Sequence, residues 1–177
     1  FVVAHLGGGI SIACVGGGKI RSSLGDGETL CFTPERSGAL PSEELVNKVI
    51  SGEYTLQQAW NYIKANGGIY ALLGTTDCIE VERRIADGDK YAENVYMAMA
   101  KRIAMTIGAQ AAFACGELDA IVLTGGLARS EMLLDVIRQH AGFIAPFIVL
   151  PGEYEMDYFA QAGFDWLSGR VREVEFG

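Results

Sequence analysis

The stretch His5-Leu6-Gly7-Gly8-Gly9-Ile10-Ser11 constrains this chain more than any other. Its three glycines stand between two apolar runs, Phe1-Val2-Val3-Ala4 and Ile10-Ser11-Ile12-Ala13-Cys14-Val15, both rich in residues that suit a pleated sheet. The reading is strand, glycine loop, strand. A bend without Cβ atoms lets backbone N–H groups approach a ligand closely. Successive N–H groups in such a turn form a concavity suited to an anion, typically phosphate. His5 and Ser11 add side-chain donors at the same edge. The same residues also fit a tight hairpin with a core histidine, and this stretch alone leaves both readings open.

At 177 residues, half of them hydrophobic and only a fifth charged, the chain has material for one well-buried domain. A formal net charge of −8 argues against a nucleic-acid groove or an anionic membrane surface as partner. An acidic protein can still hold an anion locally through glycine loops, helix N-termini and a few arginines, with metal ions helping to bring in a polyphosphate. Cys14, Cys31, Cys78 and Cys115 are scattered without a C-x-x-C pair, so they read as reduced thiols of a cytoplasmic protein. No apolar run approaches the ~20 residues of a membrane span, and no signal-peptide pattern is present. The chain opens at Phe1, already inside a strand, and is expected to be a fragment of a longer polypeptide.

Gly16-Gly17-Gly18 reads as a hairpin turn and Lys19 to Ser23 as a third antiparallel strand. Leu24 to Leu40 has no periodicity and reads as an ordered loop. Ser42 is expected to cap a helix that Gly52 stops, with Glu43 and Glu44 in its first turn. Thr55-Leu56-Gln57-Gln58 fits a capping box for a second helix ending at Asn66-Gly67-Gly68. Asp77-Cys78-Ile79-Glu80 reads as another box, heading a helix to about Gly88. A long helix follows from Lys90 to Cys115, with Val95, Met99, Ile103, Ile107 and Ala111 as its apolar stripe. Gly108, Ala109, Ala111 and Ala112 would allow close approach of a sheet or second helix. Asp119 to Thr124 reads as a buried parallel strand. Gly125-Gly126-Leu127 and a helix capped by Ser130 come next, then a strand from Ile144 to Leu150 with Pro146 at its start or edge. Tyr154 to Leu167 is the last helix and Val171 to Gly177 a charged tail. The order predicts an α/β protein with a mixed sheet and helices on both faces.

Three further stretches could carry chemistry. Arg36, in Thr33-Pro34-Glu35-Arg36-Ser37-Gly38, offers a fork that matches phosphate or carboxylate oxygens, or simply pairs with a nearby acid. Leu123-Thr124-Gly125-Gly126-Leu127 lies at a strand's C-terminal end, where open α/β sheets bind ligands, though it also fits a plain strand-to-helix turn. Pro151-Gly152-Glu153-Tyr154-Glu155 places acids at a helix start, as dipole partners or as holders of Mg²⁺ through water. His140, near a helix C-terminus, reads as structural.

Taken together these stretches resemble the acetate/butyrate kinase family of carboxylate kinases, in its butyrate kinase form. His5 to Ser11 is similar to the family's phosphate motif HLG-x-G-x-S. Phe32 to Gly38 resembles F-[ST]-P-E-R-S-G, with Asp26-Gly27-Glu28 similar upstream. Ile121 to Leu127 resembles the adenosine motif, and Pro151-Gly152-Glu153-x-Glu155-Met156 the PGE-x-EM segment. The resemblance implies the ribonuclease-H-like core of the actin-like ATPase superfamily. It implies that residues 1–177 form one domain, the C-terminal half of a two-domain kinase whose N-terminal domain lies outside this chain. It further implies transfer from ATP to butyrate, giving butyryl phosphate and ADP, in either direction and with Mg²⁺. Arg36 and His5 would be catalytic; Gly7, Gly8, Gly9, Ser11, Asp77, Gly125, Gly126 and Leu127 would bind the nucleotide; Glu155 would support the metal. The expected partners are a short-chain carboxylate or acyl phosphate, the N-terminal domain and a second copy in a homodimer. Where the family has D-x-R-E, this chain carries Ile79 in place of arginine, leaving Arg83 or Arg84 to substitute from one turn on. Alternatives are an acetate, propionate or branched-chain fatty-acid kinase, or a nucleotide-binding or dimerisation module without catalysis. A dinucleotide oxidoreductase fits less well, because a strand rather than a helix follows the glycine loop.

Overall fold

The computed structural model describes residues 1–25 and 30–171, the Glu155 side chain excepted. The similarity at Asp26-Gly27-Glu28, the metal role of Glu155 and the tail from residue 172 therefore lie outside the described residues. Three strands open the chain: β1 (Val2–Leu6), β2 (Ile10–Gly16) and β3 (Lys19–Leu24). Five helices follow: α1 (Ser42–Ile50), α2 (Leu56–Lys64), α3 (Gly68–Leu73), α4 (Cys78–Ala86) and α5 (Lys90–Phe113). Then come β4 (Ile121–Gly125), a single 3₁₀ turn (Gly126–Arg129), α6 (Glu131–Ala141), β5 (Phe147–Pro151) and α7 (Glu155–Leu167).

The sheet order is β3-β2-β1-β4-β5. β1 to β3 run antiparallel, while β1 pairs with β4 and β4 with β5 in parallel. Three antiparallel strands followed by two parallel additions at the β1 edge form the ribonuclease-H-like core of the actin-like ATPase fold. Register decides which side chains share a face: Ala4 lies opposite Ile12 on β2 and beside Leu123 on β4. With Val2, Leu6, Ile10 and Ile121 they form a buried sheet surface. The stripe Val95, Met99, Ile103, Ile107 and Ala111 of α5 is buried too, and with Leu133, Leu134 and Ile137 of α6 most of it packs into that surface as one core. Each fully buried aliphatic side chain stabilises such a core by roughly 1.5–3 kcal/mol.

Of the helix caps expected from sequence, at Ser42, Thr55, Asp77 and Ser130, all but the first form. Thr55 forms the reciprocal box with Gln58. Asp77 accepts from the amides of Ile79 and Glu80, although Glu80 binds the Thr75 hydroxyl instead of returning to the cap. Asp89 caps α5 through the Ala92 amide, and that bond, seconded by Arg84, holds its carboxyl below the usual range. At α1 the expectation fails: Pro41 occupies the cap position without a side-chain bond, and Ser42 is the first helical residue.

Two further differences matter. α3, absent from the sequence reading, begins at Gly68, whose φ of 55° is left-handed. Gly108 itself makes no close approach to another element: a Cβ built there touches nothing within 4 Å, and with Ala111, Ala112 and Phe143 it borders a hollow. The sheet face opposite the core is covered more lightly. There Val3, His5, Val122, Thr124 and Leu150 line a hollow of about 610 Å³, with Tyr154 and Tyr158 beside them. No helix among the described residues is long and apolar enough to cross a membrane, and none of the four cysteines is in a disulfide.

Candidate functional site

A polar row crosses the sheet on the face away from the core. Ser11 of β2 lies opposite His5 of β1, His5 beside Thr124 of β4, and Thr124 beside Leu150 of β5. The period of two that buries Ala4 and Leu6 thus turns His5 the other way, half-exposed, so the core-histidine reading is wrong.

The glycine loop joins β1 to β2, and none of its glycines has a positive φ. Neighbouring side chains need the space instead. A Cβ on Gly9 would lie 2.9 Å from Cζ of Arg36, one on Gly8 2.8 Å from Oε1 of Glu35, and one on Gly7 3.3 Å from Nε2 of His5. The Gly7 amide donates to the Gly9 carbonyl at 3.1 Å, closing the bend from within.

Thr33 holds the Arg36 loop against this bend. Its hydroxyl donates to the Gly8 carbonyl at 2.7 Å and accepts from the amides of Arg36 at 2.9 Å and Glu35 at 3.2 Å. The segment is anchored behind by amides from the α2–α3 junction: Gly67 donates to Glu35, Ile69 to Thr33 and Tyr70 to Pro34. A Cβ on Gly68 would collide with the Thr33 carbonyl, which explains why α3 starts on a left-handed glycine. Thr33 was not singled out from sequence. The available signal was a hydroxyl residue three places before the arginine, a spacing at which Ser and Thr bind nearby amides.

These elements enclose an open cleft of about 710 Å³ lined by His5, Gly9, Ile10, Ser11, Ser23, Gly25 and Arg36. A guanidinium, an imidazole and two hydroxyls converge there, and none of the described lining residues is acidic. That donor set suits an anion with several oxygens. Ser23 and Gly25 had carried no expectation.

The second glycine stretch differs. Gly125 ends β4 with a φ of 91°, and a Cβ there would stand 2.8 Å from the Leu6 carbonyl carbon. It exchanges two backbone hydrogen bonds with Gly152, each 3.1 Å. Gly126 is exposed with open space around its Cβ position. Leu127 is half-buried, with its side chain packed against the core cluster. Ser130 caps α6 through the Leu133 amide at 3.0 Å.

Asp77 lies apart from the cleft lining, exposed and engaged as the cap of α4. Ile79 beside it is 81% exposed. Arg84 does not reach outward in its place: it binds Asp89 at 2.7 Å and the Leu73 carbonyl at 3.0 Å. Arg83 lies 4.0 Å from Asp87 on the surface. The described residues contain no cluster of three His, Cys, Asp or Glu side chains that could cage a metal ion. This donor set fits Mg²⁺ only as an ion carried largely by water and ligand phosphates, the usual habit of that cation.

Comparison with known proteins follows the same lines. The acetokinase family model matches residues 1–142. The chain is 44% identical over 176 residues to "Probable butyrate kinase 2" of Caldanaerobacter subterraneus subsp. tengcongensis, covering 99% of this chain and 50% of that protein. It is 40% identical over 178 residues to "Butyrate kinase 2" of Clostridium acetobutylicum, covering 99% and 49%. The crystal structure of Porphyromonas gingivalis acetate kinase superposes with a TM-score of 0.80 at 22% identity, over 92% of this chain and 48% of that one. The chain therefore spans about half the length of the curated relatives it matches, and its fold is that of the solved kinase. On the family match over most of its residues, together with these butyrate kinase relatives, this chain belongs to the acetokinase family.

Proposed function

We propose that this chain is the C-terminal half of a short-chain carboxylate kinase that transfers the γ-phosphoryl group of ATP to butyrate and runs in either direction. The observation that carries the reading is the convergence of Arg36, His5 and Ser11 on one cleft over the glycine loop. Phosphoryl transfer involves charge spread over the oxygens of the moving group, so positioning and fixed positive charge do most of the work. Arg36 would bridge the carboxylate and the transferring group with its fork, and the His5 ring would donate to a phosphoryl oxygen. Ser11 and the Gly8 and Gly9 amides would hold the remaining oxygens, the Gly7 amide being engaged within the bend. Gly125, Gly126 and the Leu127 backbone would border the adenosine, with Asp77 at the far side. Mg²⁺, when bound with the nucleotide, supplies charge neutralisation, with Glu155 as its supporting acid.

The opposite wall of the cleft belongs to the N-terminal domain, which closes on this one to exclude water and complete the reacting geometry. The enzyme works as a homodimer in the cytoplasm, the open side of α5 around Gly108 being the contact. Sedimentation of the complete enzyme as a monomer at about 10–50 μM, well above the Kd of a stable interface, would count against the dimer.

The decisive experiment is Arg36→Ala in the complete two-domain enzyme, with acyl phosphate trapped as hydroxamate. Turnover should fall by about two to four orders of magnitude, and Arg36→Lys should stay strongly impaired because it keeps charge without the fork. A change within about threefold, under ~1 kcal/mol, rejects the assignment.

A further inference from the structure

Tyr96 of α5 is 0% exposed, yet its hydroxyl is not lost in the core. It lies 2.7 Å from Oε1 of Glu82 on α4 and 3.3 Å from Oγ of Ser130, the cap of α6. A phenol has one proton, and the carboxylate, the stronger and closer acceptor, takes it. At the 3.3 Å contact the Ser130 hydroxyl is therefore the donor, while its oxygen accepts from the Leu133 amide at 3.0 Å. The result is a directed chain from the α6 amide through Ser130 and Tyr96 to Glu82. Burial raises the tyrosine's pKa, so the proton stays in place at neutral pH. Burial, followed by the charges of Glu82 and Asp77, pushes the neighbouring Cys78 thiol up to about 12 and keeps it neutral.

The two helices joined in this way begin where the proposed nucleotide contacts lie. α4 starts directly after Asp77, and α6 one residue, its Ser130 cap, after the turn Gly126–Arg129. The aromatic ring supplies the packing, and the hydroxyl adds hydrogen bonds to α4 and to the cap of α6 that a phenylalanine of nearly the same volume would lack. We infer that Tyr96 is a positioning residue for the nucleotide: its hydroxyl ties Glu82 in the middle of α4, about one turn beyond Asp77, to the Ser130 cap of α6, and so sets the spacing of the two helices whose starts flank the adenosine slot. The inference rests on the slot reading given under Proposed function.

The test is steady-state kinetics of the complete enzyme. Tyr96→Phe should raise the nucleotide KM by about five- to tenfold, the loss of roughly one net hydrogen bond, leaving kcat and the carboxylate KM within about twofold. Glu82→Ala should reproduce it, whereas Glu82→Gln, which keeps an oxygen acceptor for the phenol, should stay within about threefold of the parent. Gly126→Leu, at an exposed position with room for a side chain, should raise the nucleotide KM by obstructing the slot. If Gly126→Leu does so and Tyr96→Phe does not, the inference falls and the slot reading stands. If Gly126→Leu leaves the nucleotide KM unchanged, the slot reading falls and takes the inference with it. Parallel losses in kcat and both KM values in Tyr96→Phe would mean general loosening and would also overturn it.

Discussion

Gly7-Gly8-Gly9 and Gly16-Gly17-Gly18 are the same three letters nine residues apart, and they are glycine for opposite reasons. In the second triplet Gly17 and Gly18 have φ values of 60° and 72°, and they form a two-residue loop between the paired residues Gly16 and Lys19. Both central residues are left-handed, the turn whose twist suits a hairpin. Space is not the issue, since a Cβ on Gly18 would meet nothing within 4 Å. In the first triplet the backbone is ordinary and the space is taken by His5, Glu35 and Arg36. One triplet is a requirement of the local backbone. The other is a mould for side chains brought in from elsewhere, and it is the one that borders the cleft.

The contrast is tested by adding one methyl group at a time in the complete enzyme. The largest effect is expected from Gly9→Ala, whose Cβ would press on the Arg36 guanidinium. Turnover should drop about 10²-fold, as for a displaced charge-stabilising donor, with little change in melting temperature. Gly18→Ala should do the reverse. The left-handed conformation costs a residue with a Cβ roughly 1–2 kcal/mol, so the melting temperature should fall by several degrees while turnover stays within about twofold. Gly18→Asn should recover much of that loss, because asparagine tolerates the same conformation. The smallest effect belongs to Gly8→Ala. The Glu35 carboxylate it would touch ends an exposed, flexible side chain that can swing aside, so stability should shift by under about 0.5 kcal/mol. If Gly8→Ala matched Gly9→Ala in turnover, the mould would have two rigid walls, Glu35 as well as Arg36.

What was legible in the sequence follows the same division. Local backbone demands were readable: the Gly17-Gly18 turn, the caps at Thr55, Asp77 and Ser130, and the five-residue stripe of α5, recurring every fourth position, that is buried in full. Demands set by distant segments were not. Gly67-Gly68 read as a helix stop, whereas Gly68 opens α3 because the Thr33 carbonyl lies against it. Arg84 stood as a stand-in for the arginine replaced by Ile79, but its partners, Asp89 and the Leu73 carbonyl, draw it inward. Ser42 lost the cap of α1 to Pro41. At the site the types of residue were visible and their grouping partly so. His5, Ser11 and Arg36 do meet in one cleft, while the Thr33 hydroxyl that holds the arginine loop to Gly8 depends on a contact 25 residues long.

The close approach of Gly125 to Leu6 makes the distance between two loops a backbone quantity. β1 ends in the glycine loop and β4 in the 3₁₀ turn, and at their ends nothing but main chain separates them. The two loops are cut from one rigid plate and share its dimensions, with no side chain between them that a substitution could lengthen or trim. Changing the distance between the two loops therefore requires moving the main chain of β1 against that of β4, because this ruler has no adjustable mark.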